Sequence, residues 1–436
     1  MSKGHFIFDK NKCVGCEACV IACINENGFQ ETGTWRNVHS SNPEKLPGIP
    51  LFNLSMSCNH CEKAVCMEYC PALAYSLSPI TGAVLHSPDK CIGCQYCTWN
   101  CPYDAPKYNP ITGVIAKCNL CESRLQENQK PACATLCPTG ALDFKFSEMD
   151  QPTLESNFEV PIQTQPSISI KEPLKKSAPK IDKNLFKPIN IKQTKNPEKS
   201  KISASKEWTL VLFTWTVSYM VAITALDIME SKPLGIKLIF LIVGAAGAGL
   251  SMLHLGKPLR AHRALLNIRK SWLSREILFF SLFYIATFFD LLVSDLPNWL
   301  ILLFGIFLIL SIDMLYQPVQ LHWKTKLHSA QAIFITVSYY LLFSNLFWIL
   351  GLLMIFRVYL FVSVNPSFNF KGQLSASLKI IRILSIMLTF ISIFTNCPYW
   401  IGILIFTIGE ILDRIAFYND LELPDIKKVI ASNITK

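Results

Sequence analysis

Histidine is scarce in the sequence, and it is missing where a membrane haem would need it. The 436-residue chain has eight histidines. None lies in the middle of a long apolar run: His5, His39, His60, His86, His254, His262, His322 and His328. A membrane cytochrome holds its haem iron with axial side chains, typically histidines, that face each other within the bilayer. The sequence therefore predicts that the chain carries no haem.

The N-terminus lacks the features of a secretory signal. Residues 1–6 contain neither an apolar stretch nor a twin-arginine pair, which are the marks of export signals. We therefore expect the N-terminal part to stay in a reducing compartment, where structural disulfides are rare. A disulfide scaffold is accordingly a poor explanation for the many cysteines of this chain.

The positive charge of the chain is confined to one segment. The formal net charge is +10, but residues 171–201 hold ten lysines against three acidic residues. The remainder is close to neutral, so the composition does not indicate a folded nucleic-acid-binding surface. The low aromatic content and the Pro, Ser, Gln and Asn residues of residues 147–206 predict an extended, poorly ordered linker. Its lysines either are simply solvated or lie along anionic lipid headgroups.

Cysteine is almost absent outside the first third of the chain, and within it the spacing is regular. Sixteen of the seventeen cysteines lie in four groups of four, with spacings x2-x2-x3, x2-x4-x3, x2-x2-x3 and x2-x11-x3. The groups are Cys13, Cys16, Cys19 and Cys23; Cys58, Cys61, Cys66 and Cys70; Cys91, Cys94, Cys97 and Cys101; and Cys118, Cys121, Cys133 and Cys137. Four thiolates per group are the ligands of a [4Fe–4S] cluster. Zinc is the weaker alternative, because zinc ribbons use isolated Cys-x2-Cys pairs.

The third cysteine at x2 and a fourth after x3 indicate paired clusters. In two-cluster ferredoxins the fourth cysteine of such a run ligates the neighbouring cluster. Proline follows the fourth cysteine in three of the four groups, as Pro71, Pro102 and Pro138. Sixteen cysteines therefore predict four [4Fe–4S] clusters. Residues 6–8, 82–85 and 142–144 read as short strands of ferredoxin-like units.

The second half of the chain contains long apolar runs. A membrane-spanning helix needs about 20 apolar residues, and eight segments are long and apolar enough to cross a bilayer. They are residues 208–228, 234–254, 273–294, 296–316, 330–345, 347–364, 378–396 and 399–418. Their connections carry more lysine and arginine on the side of the cysteine region than on the other side, where only Lys232 and Lys237 appear. The positive-inside rule then places the cysteine region and the C-terminal tail in the cytoplasm.

The cysteine region resembles the four-cluster iron–sulfur subunit of dimethyl sulfoxide reductase and related molybdenum respiratory enzymes. The resemblance covers residues 5–145 and all sixteen cysteines. It implies that the first group interlocks with the fourth and the second with the third. The ligand sets are then set A (Cys13, Cys16, Cys19, Cys137), set B (Cys23, Cys118, Cys121, Cys133), set C (Cys58, Cys61, Cys66, Cys101) and set D (Cys70, Cys91, Cys94, Cys97). Some relatives replace one ligand of the third group by tryptophan, but Cys94 and Cys97 are present here, so four-iron clusters are expected throughout.

The membrane half resembles the anchor subunit of the same enzymes. Residues 254–258 read His-Leu-Gly-Lys-Pro and residues 271–276 read Ser-Trp-Leu-Ser-Arg-Glu. In the family these two motifs frame a menaquinol site, so the resemblance implies that His254 and Glu276 contact the quinol and accept its protons, with Arg275 nearby. The alternative is that all three are ordinary residues of helix ends.

Other ionisable residues of the apolar segments are costly to bury. Asp313, Glu410, Asp413 and Arg414 either pair across helices or carry protons, and Arg357 has no partner that the sequence identifies.

Together these patterns predict an α+β ferredoxin-like four-cluster domain followed by an all-α bundle of eight transmembrane helices. The expected boundaries are 1–146 for the cluster domain, 147–206 for the linker, 207–420 for the membrane anchor and 421–436 for the tail. The resemblance implies a subunit that oxidises quinol from the membrane quinone pool and passes electrons to a separate molybdopterin catalytic subunit. Two alternatives stay open. The same electron path runs in reverse from a formate or sulfur-compound dehydrogenase, or the clusters only support an anchor.

Overall fold

The computed structural model describes two compact units, one before residue 172 and one from Ile202 to Leu423. The described residues are 4–28, 33–42, 51–146, 164–171, 202–293, 296–317, 328–364, 398–421 and 423, with seven helical positions between 380 and 391. Most of the expected linker and the end of the expected tail lie outside these ranges.

The first unit is built from short strands joined by cysteine-bearing loops. Its described strands are β1 (Gly4–Asp9), β2 (Asn37–Ser40), β3 (Asn53–Met56), β4 (Tyr75–Leu77), β5 (Val84–His86), β6 (Lys107–Asn109), β7 (Val114–Ala116), β8 (Leu142–Phe146) and β9 (Ile168–Lys171). One sheet has the order β8-β1-β9, and the other strands form three antiparallel hairpins, β2-β3, β4-β5 and β6-β7. The expected strands at residues 6–8, 82–85 and 142–144 correspond to β1, β5 and β8.

Short helices follow the cysteine loops. They are α1 (Ala18–Asn27), α2 (Val65–Glu68), α3 (Tyr96–Asn100), α4 (Glu122–Gln126) and α5 (Ala132–Thr135). Residues with left-handed backbone conformation immediately precede three of them, at Glu17 (φ 59°), Gln95 (φ 58°) and Cys121 (φ 51°). This conformation is costly for residues other than glycine. It turns the chain sharply between a cysteine-bearing loop and the helix that follows, and in α1 and α3 that helix carries the next cysteine.

The strand β9 corrects the expected linker. Residues 147–206 read as one extended linker, yet β9 pairs in parallel with β1. The side chains of Ile168 and Ile170 are buried in the same core as Phe6, Phe8 and Phe144. Burying two isoleucines on a sheet edge stabilises the unit, since each buried aliphatic side chain contributes about 1.5–3 kcal/mol. The first unit therefore includes residues 164–171.

The second unit is helical. Its described α-helices are α6 (Trp208–Ala225), α7 (Leu234–Leu253), α8 (Trp272–Leu292), α9 (Asn298–Tyr316), α10 (Ala332–Phe343), α11 (Phe347–Val364) and α12 (Tyr399–Asp420). A 3₁₀ helix, Pro258–Leu265, lies between α7 and α8. The expected break between the fifth and sixth segments is present, because Asn345 has a φ of 58° between α10 and α11.

The expected membrane spans are confirmed only in part. Among the described residues, three helices are long and apolar enough to cross a membrane: α6, α7 and α9. The helix α10 and residues 347–360 of α11 are apolar but shorter. The expected seventh span, 378–396, lies mostly outside the described residues. The expectation of an iron–sulfur domain followed by a helical anchor is confirmed, while the count of eight spans stays a prediction.

The helix α6 lies at the centre of the unit. In the apolar stretch of α6, 72% is buried inside the unit, whereas in that of α7 only 22% is buried. Gly244 of α7 brings the two helices close, because a Cβ atom there would lie 2.7 Å from Cε of Met220. The connection between α7 and α8 carries the expected quinol motifs, and its 3₁₀ helix packs against both of these helices.

Candidate functional site

Three cavities of the first unit are each lined by four cysteines. The cavity of set A is lined by Cys13, Cys16, Cys19 and Cys137. The cavity of set C is lined by Cys58, Cys61, Cys66 and Cys101. The cavity of set D is lined by Cys70, Cys91, Cys94 and Cys97. Each cavity joins three cysteines of one group to one of another, as the family resemblance implies.

The remaining four cysteines, set B, are also neighbours. Burial raises the pKa of the Cys23 thiol to about 12, and the sulfurs of Cys118, Cys133 and Cys121 act on it in the same direction. The side-chain amide of Asn27 lies 3.8 Å from the sulfur of Cys23 and 3.9 Å from that of Cys121. Residues from both ends of the cysteine region therefore meet at one place.

The donor chemistry fits a cluster better than a disulfide or a zinc ion. The sixteen cysteines of the cysteine region are all described, and none of them forms a disulfide. In the described part of the chain, no three His, Cys, Asp or Glu side chains close on a single metal ion. A zinc ion bound by four cysteines needs all four sulfurs about 2.3 Å from it. The four thiols of each of sets A, C and D instead surround a cavity without converging on one point.

Burial also favours the neutral form of several of these thiols, so a bound metal would have to displace their protons. Burial raises the pKa of Cys66, and neighbouring cysteine sulfur strengthens the shift. Burial likewise raises the pKa of Cys94. Buried thiols that repel each other lose their protons only to a positive centre, since a coordinating metal deprotonates a thiol outright. An iron–sulfur core supplies that charge when it is bound, and it transfers single electrons.

Backbone amides point at several of the sulfurs. The N–H groups of Ala74 and Leu142 donate to the sulfurs of Cys70 and Cys137 at 3.3 Å. The N–H of Gly93 donates to the sulfur of Cys91 at 3.4 Å. Such hydrogen bonds help to set the reduction potential of a cluster. They follow from the tight loops, because each donor lies two to five residues after the cysteine that accepts.

The sequence reasoning missed buried cations that lie among the cysteines of this unit. Arg36 and Lys117 are 2% and 4% exposed. The position of Lys117 directly before Cys118 was a signal that could have been used. Arg36 lies between cysteine groups in a segment that carries no motif, so nothing in the sequence marks it.

In the second unit, Glu276 is buried in the first turns of α8. Its residue exposure is 5%, and its Oε2 has no hydrogen-bond partner within the residues that the structure describes. The charged group that acts on it is Arg414. The preceding Ser271 caps α8, because its Oγ accepts from the N–H of Ser274 at 3.4 Å. A buried carboxylate oxygen with an open lone pair is suited to accept a hydrogen bond from a ligand.

His254 and Arg275 lie near the same connection but have other partners. His254 follows the end of α7, and its Nδ1 is hydrogen-bonded to the carbonyl of Ser251. The Arg275 guanidinium donates to the carbonyls of Ile268 at 2.9 Å and Arg269 at 2.6 Å.

The Arg275 guanidinium also lies over the Trp272 ring, 4.1 Å from its centroid. No hydrogen bond or ion pair links His254, Arg275 and Glu276 to one another in the described ranges.

The partner of Arg357 is also evident. Arg357 of α11 pairs with Glu410 at 2.7 Å and with Asp413 at 3.0 Å, both on α12. All three residues are at most 2% exposed. Of the two open interpretations, ion pairing between helices is therefore observed for these residues.

Family comparisons agree with both halves. Residues 50–147 match the family model of the 4Fe-4S dicluster domain, and residues 204–397 match that of the DMSO reductase anchor subunit. The B subunit of polysulfide reductase of Wolinella succinogenes is 39% identical over 175 residues, which cover 39% of this chain and 89% of the relative.

Two further relatives are similar over the same region. The thiosulfate reductase electron transfer subunit PhsB of Salmonella typhi is 38% identical over 152 residues, covering 34% of this chain and 78% of the relative. The B subunit of anaerobic dimethyl sulfoxide reductase of Escherichia coli (strain K12) is 36% identical over 147 residues, covering 32% of this chain and 71% of the relative.

These matches confirm the resemblance on which the sequence analysis relied. The cysteine unit matches separate electron-transfer subunits, and the helical unit matches a separate membrane anchor. One polypeptide therefore combines two parts of a membrane-bound complex, and such a complex also contains a catalytic subunit. The chain belongs to the dimethyl sulfoxide reductase family of respiratory complexes, as an iron–sulfur electron-transfer subunit that continues into the family's membrane anchor.

Proposed function

We propose that this subunit oxidises menaquinol in the cytoplasmic membrane and passes the electrons through four [4Fe–4S] clusters to a separate molybdopterin catalytic subunit. Sets A, B, C and D hold one cluster each. The cluster unit lies on the cytoplasmic side, as the distribution of basic loop residues indicates. The observation that carries this proposal is the buried Oε2 of Glu276, unpartnered among the described residues, in a chain that also gathers sixteen cysteines.

Glu276 accepts a proton from the quinol. Quinol oxidation releases two electrons and two protons, so the site needs acceptors that water does not already saturate. Oε2 is buried without a partner among the described residues, and a quinol hydroxyl that donates to it supplies the missing hydrogen bond. A general base must lie within hydrogen-bond reach of the proton it takes, and Glu276 offers such an oxygen on a rigid helix.

His254 is suited to be the second acceptor. Its Nδ1 faces the carbonyl of Ser251, which can only accept, so Nδ1 carries the proton. In the neutral ring Nε2 is then the basic nitrogen. Arg275 binds the carbonyls of Ile268 and Arg269, and it therefore positions the loop instead of reaching the quinol.

The reductive direction is favoured by the relatives. Their names describe reductases of polysulfide, thiosulfate and dimethyl sulfoxide. We therefore propose a sulfur-containing or S-oxide acceptor for the catalytic subunit. Quinone reduction by electrons from a dehydrogenase subunit is the alternative. The two differ in whether electrons pass from quinol to the clusters or from the clusters to quinone.

Reduction of the clusters by a quinol analogue tests the proposal. The anaerobic complex in detergent is mixed with menadiol, and the bleaching of the visible absorption of its clusters is followed. Glu276→Gln should slow bleaching by about 10²-fold or more, the low end of what general base catalysis contributes, while dithionite still bleaches the clusters fully. Glu230→Gln, an exposed carboxylate between α6 and α7, is the matched control. Equal rates in Glu276→Gln and wild type would refute the assignment of the site.

A further inference from the structure

Arg36 is a buried cation that has no carboxylate partner among the described residues. Its guanidinium donates to Oγ of Ser55 at 3.0 Å and to Oγ of Ser57 at 2.7 Å. It also lies over the ring of Phe6, 4.8 Å from the centroid. In the described part of the chain the negative groups that act on it are cysteine sulfurs. A buried charge is costly unless an opposite charge lies nearby, so these thiolates and their clusters are its counter-charge.

The position of Arg36 is between two of the cysteine sets. Ser55, which accepts from Arg36, has its Oγ 3.2 Å from the sulfur of Cys19 in set A. The sulfur of Cys133 in set B is among the groups that act electrostatically on Arg36. The arginine therefore lies near set B and reaches set A through one serine hydroxyl.

Lys117 repeats the arrangement between the next two sets. Its Nζ donates to the carbonyls of Val84 at 2.6 Å and Cys118 at 2.7 Å. The negative groups that act on it are Cys58 and Cys66 of set C and Cys118 of set B. It also lines the cavity of set C. Sets A, B and C are thus separated by two buried cations.

The gap between sets C and D has a neutral residue instead. Tyr75 is buried there, and the sulfurs that act on it are Cys97 and Cys70 of set D and Cys66 of set C. Sets A, B, C and D therefore form a series of neighbours in which two gaps contain a cation and the third contains a phenol.

We propose that Arg36 and Lys117 raise the reduction potentials of the clusters on either side of them, which leaves the set D cluster outside their range. The proposal rests on the proposed ligation of one cluster by each set. A cluster held by four thiolates becomes more negative when it takes an electron, so a fixed positive charge in a poorly hydrated site favours the reduced form. Arg36 and Lys117 act on the clusters through the electrostatic field of their charges, not by contact with a substrate.

Redox titration followed by EPR tests the proposal on the intact complex. Arg36→Gln should shift the reduction equilibrium of the set A and set B clusters toward the oxidised form by on the order of tenfold. For a one-electron couple this shift equals about 59 mV. The clusters of sets C and D should keep their wild-type potentials. Arg36→Lys keeps the charge, so it should restore most of the shift.

Lys117→Gln is expected to shift the set B and set C clusters and to spare those of sets A and D. Lys145→Gln, which removes an exposed charge from β8 of the same unit, is the matched control and should shift none. The unshifted clusters report inside each sample that the unit is folded and fully loaded.

Three results would overturn the proposal. They are equal shifts of all four clusters, shifts below about twofold in both Gln variants, or an Arg36→Lys variant that behaves like Arg36→Gln. If Arg36→Gln fails to load its clusters, the Arg36→Lys and Lys117→Gln titrations decide by the same criteria. Wild-type protein without cluster EPR signals would contradict the proposed function itself, which is a different and separately visible outcome.

Discussion

Replacing Arg357 by methionine should strongly destabilise the membrane unit. The guanidinium has five N–H donors, and each has an acceptor. They are the Ser329 carbonyl at 2.9 Å, Ser338 Oγ at 2.9 Å, the two Glu410 oxygens at 2.7 Å and Asp413 Oδ2 at 3.0 Å. Methionine keeps an unbranched apolar stem but leaves two buried carboxylates without their shared cation.

The magnitude follows from that uncompensated charge. Removing one partner of a buried ion pair costs about 3–5 kcal/mol. For a unit of 150–250 residues each kcal/mol lowers Tm by about 2–4 °C, so we expect a fall of roughly 6–20 °C. The exposed Lys232, in the loop before α7, provides the control: Lys232→Met should change stability by no more than about 0.5 kcal/mol.

A second substitution distinguishes charge imbalance from lost packing. Arg357 is the shared cation of two carboxylates, Glu410 and Asp413. Arg357→Met leaves both negative charges uncompensated, and adding Glu410→Gln removes one of them. The double variant should therefore unfold at a higher temperature than Arg357→Met alone, as monitored by tryptophan fluorescence of detergent-solubilised protein. A double variant that is less stable than the single one, or a single variant within 2 °C of wild type (about 1 kcal/mol or less), would refute the reasoning.

Two further predictions concern pH and iron. Burial raises the pKa of Glu207, which directly precedes α6, from 4.5 to about 7. Between these pH values the folded state keeps a proton on Glu207 that the unfolded state has lost. The free energy of unfolding should therefore fall as the pH rises from 4.5 to 7. Glu207→Gln should flatten this dependence and be more stable at pH 8 by on the order of 1–3 kcal/mol, whereas an unchanged pH profile of Tm would contradict the assignment. Anaerobic protein should contain about sixteen iron atoms per chain, and Cys121→Ser should reduce that number to about twelve, measured by metal analysis. Stoichiometric zinc in place of iron would exclude the clusters.

The cysteine spacing and the apolar runs carried most of the prediction. A third cysteine at x2 in the first group identifies a cluster loop from local sequence alone. The assignment of Cys23 to set B and Cys137 to set A is different, because spacing cannot show which loops interlock and the family resemblance had to supply it. Helix positions were predicted within a few residues, as α6 shows by ending at Ala225 instead of residue 228.

The missed features depend on contacts between distant parts of the chain. Four residues, 168–171, in a polar stretch give no sign that they will pair with β1, more than 150 residues earlier. Likewise, an apolar run shows that Arg357 is buried but not which way α11 is rotated toward α12. Only the packed bundle reveals that Glu410 faces it.

The pairing of β9 with β1 determines where the cysteine unit can be cut. β1 is the middle strand of its sheet, and Ile168–Lys171 covers one of its two edges. A fragment that stopped at residue 146 would expose that edge, with free N–H and C=O groups beside Phe6 and Phe8. Open edges of this kind recruit strands from other molecules. By covering this edge, β9 protects the cysteine unit from self-association.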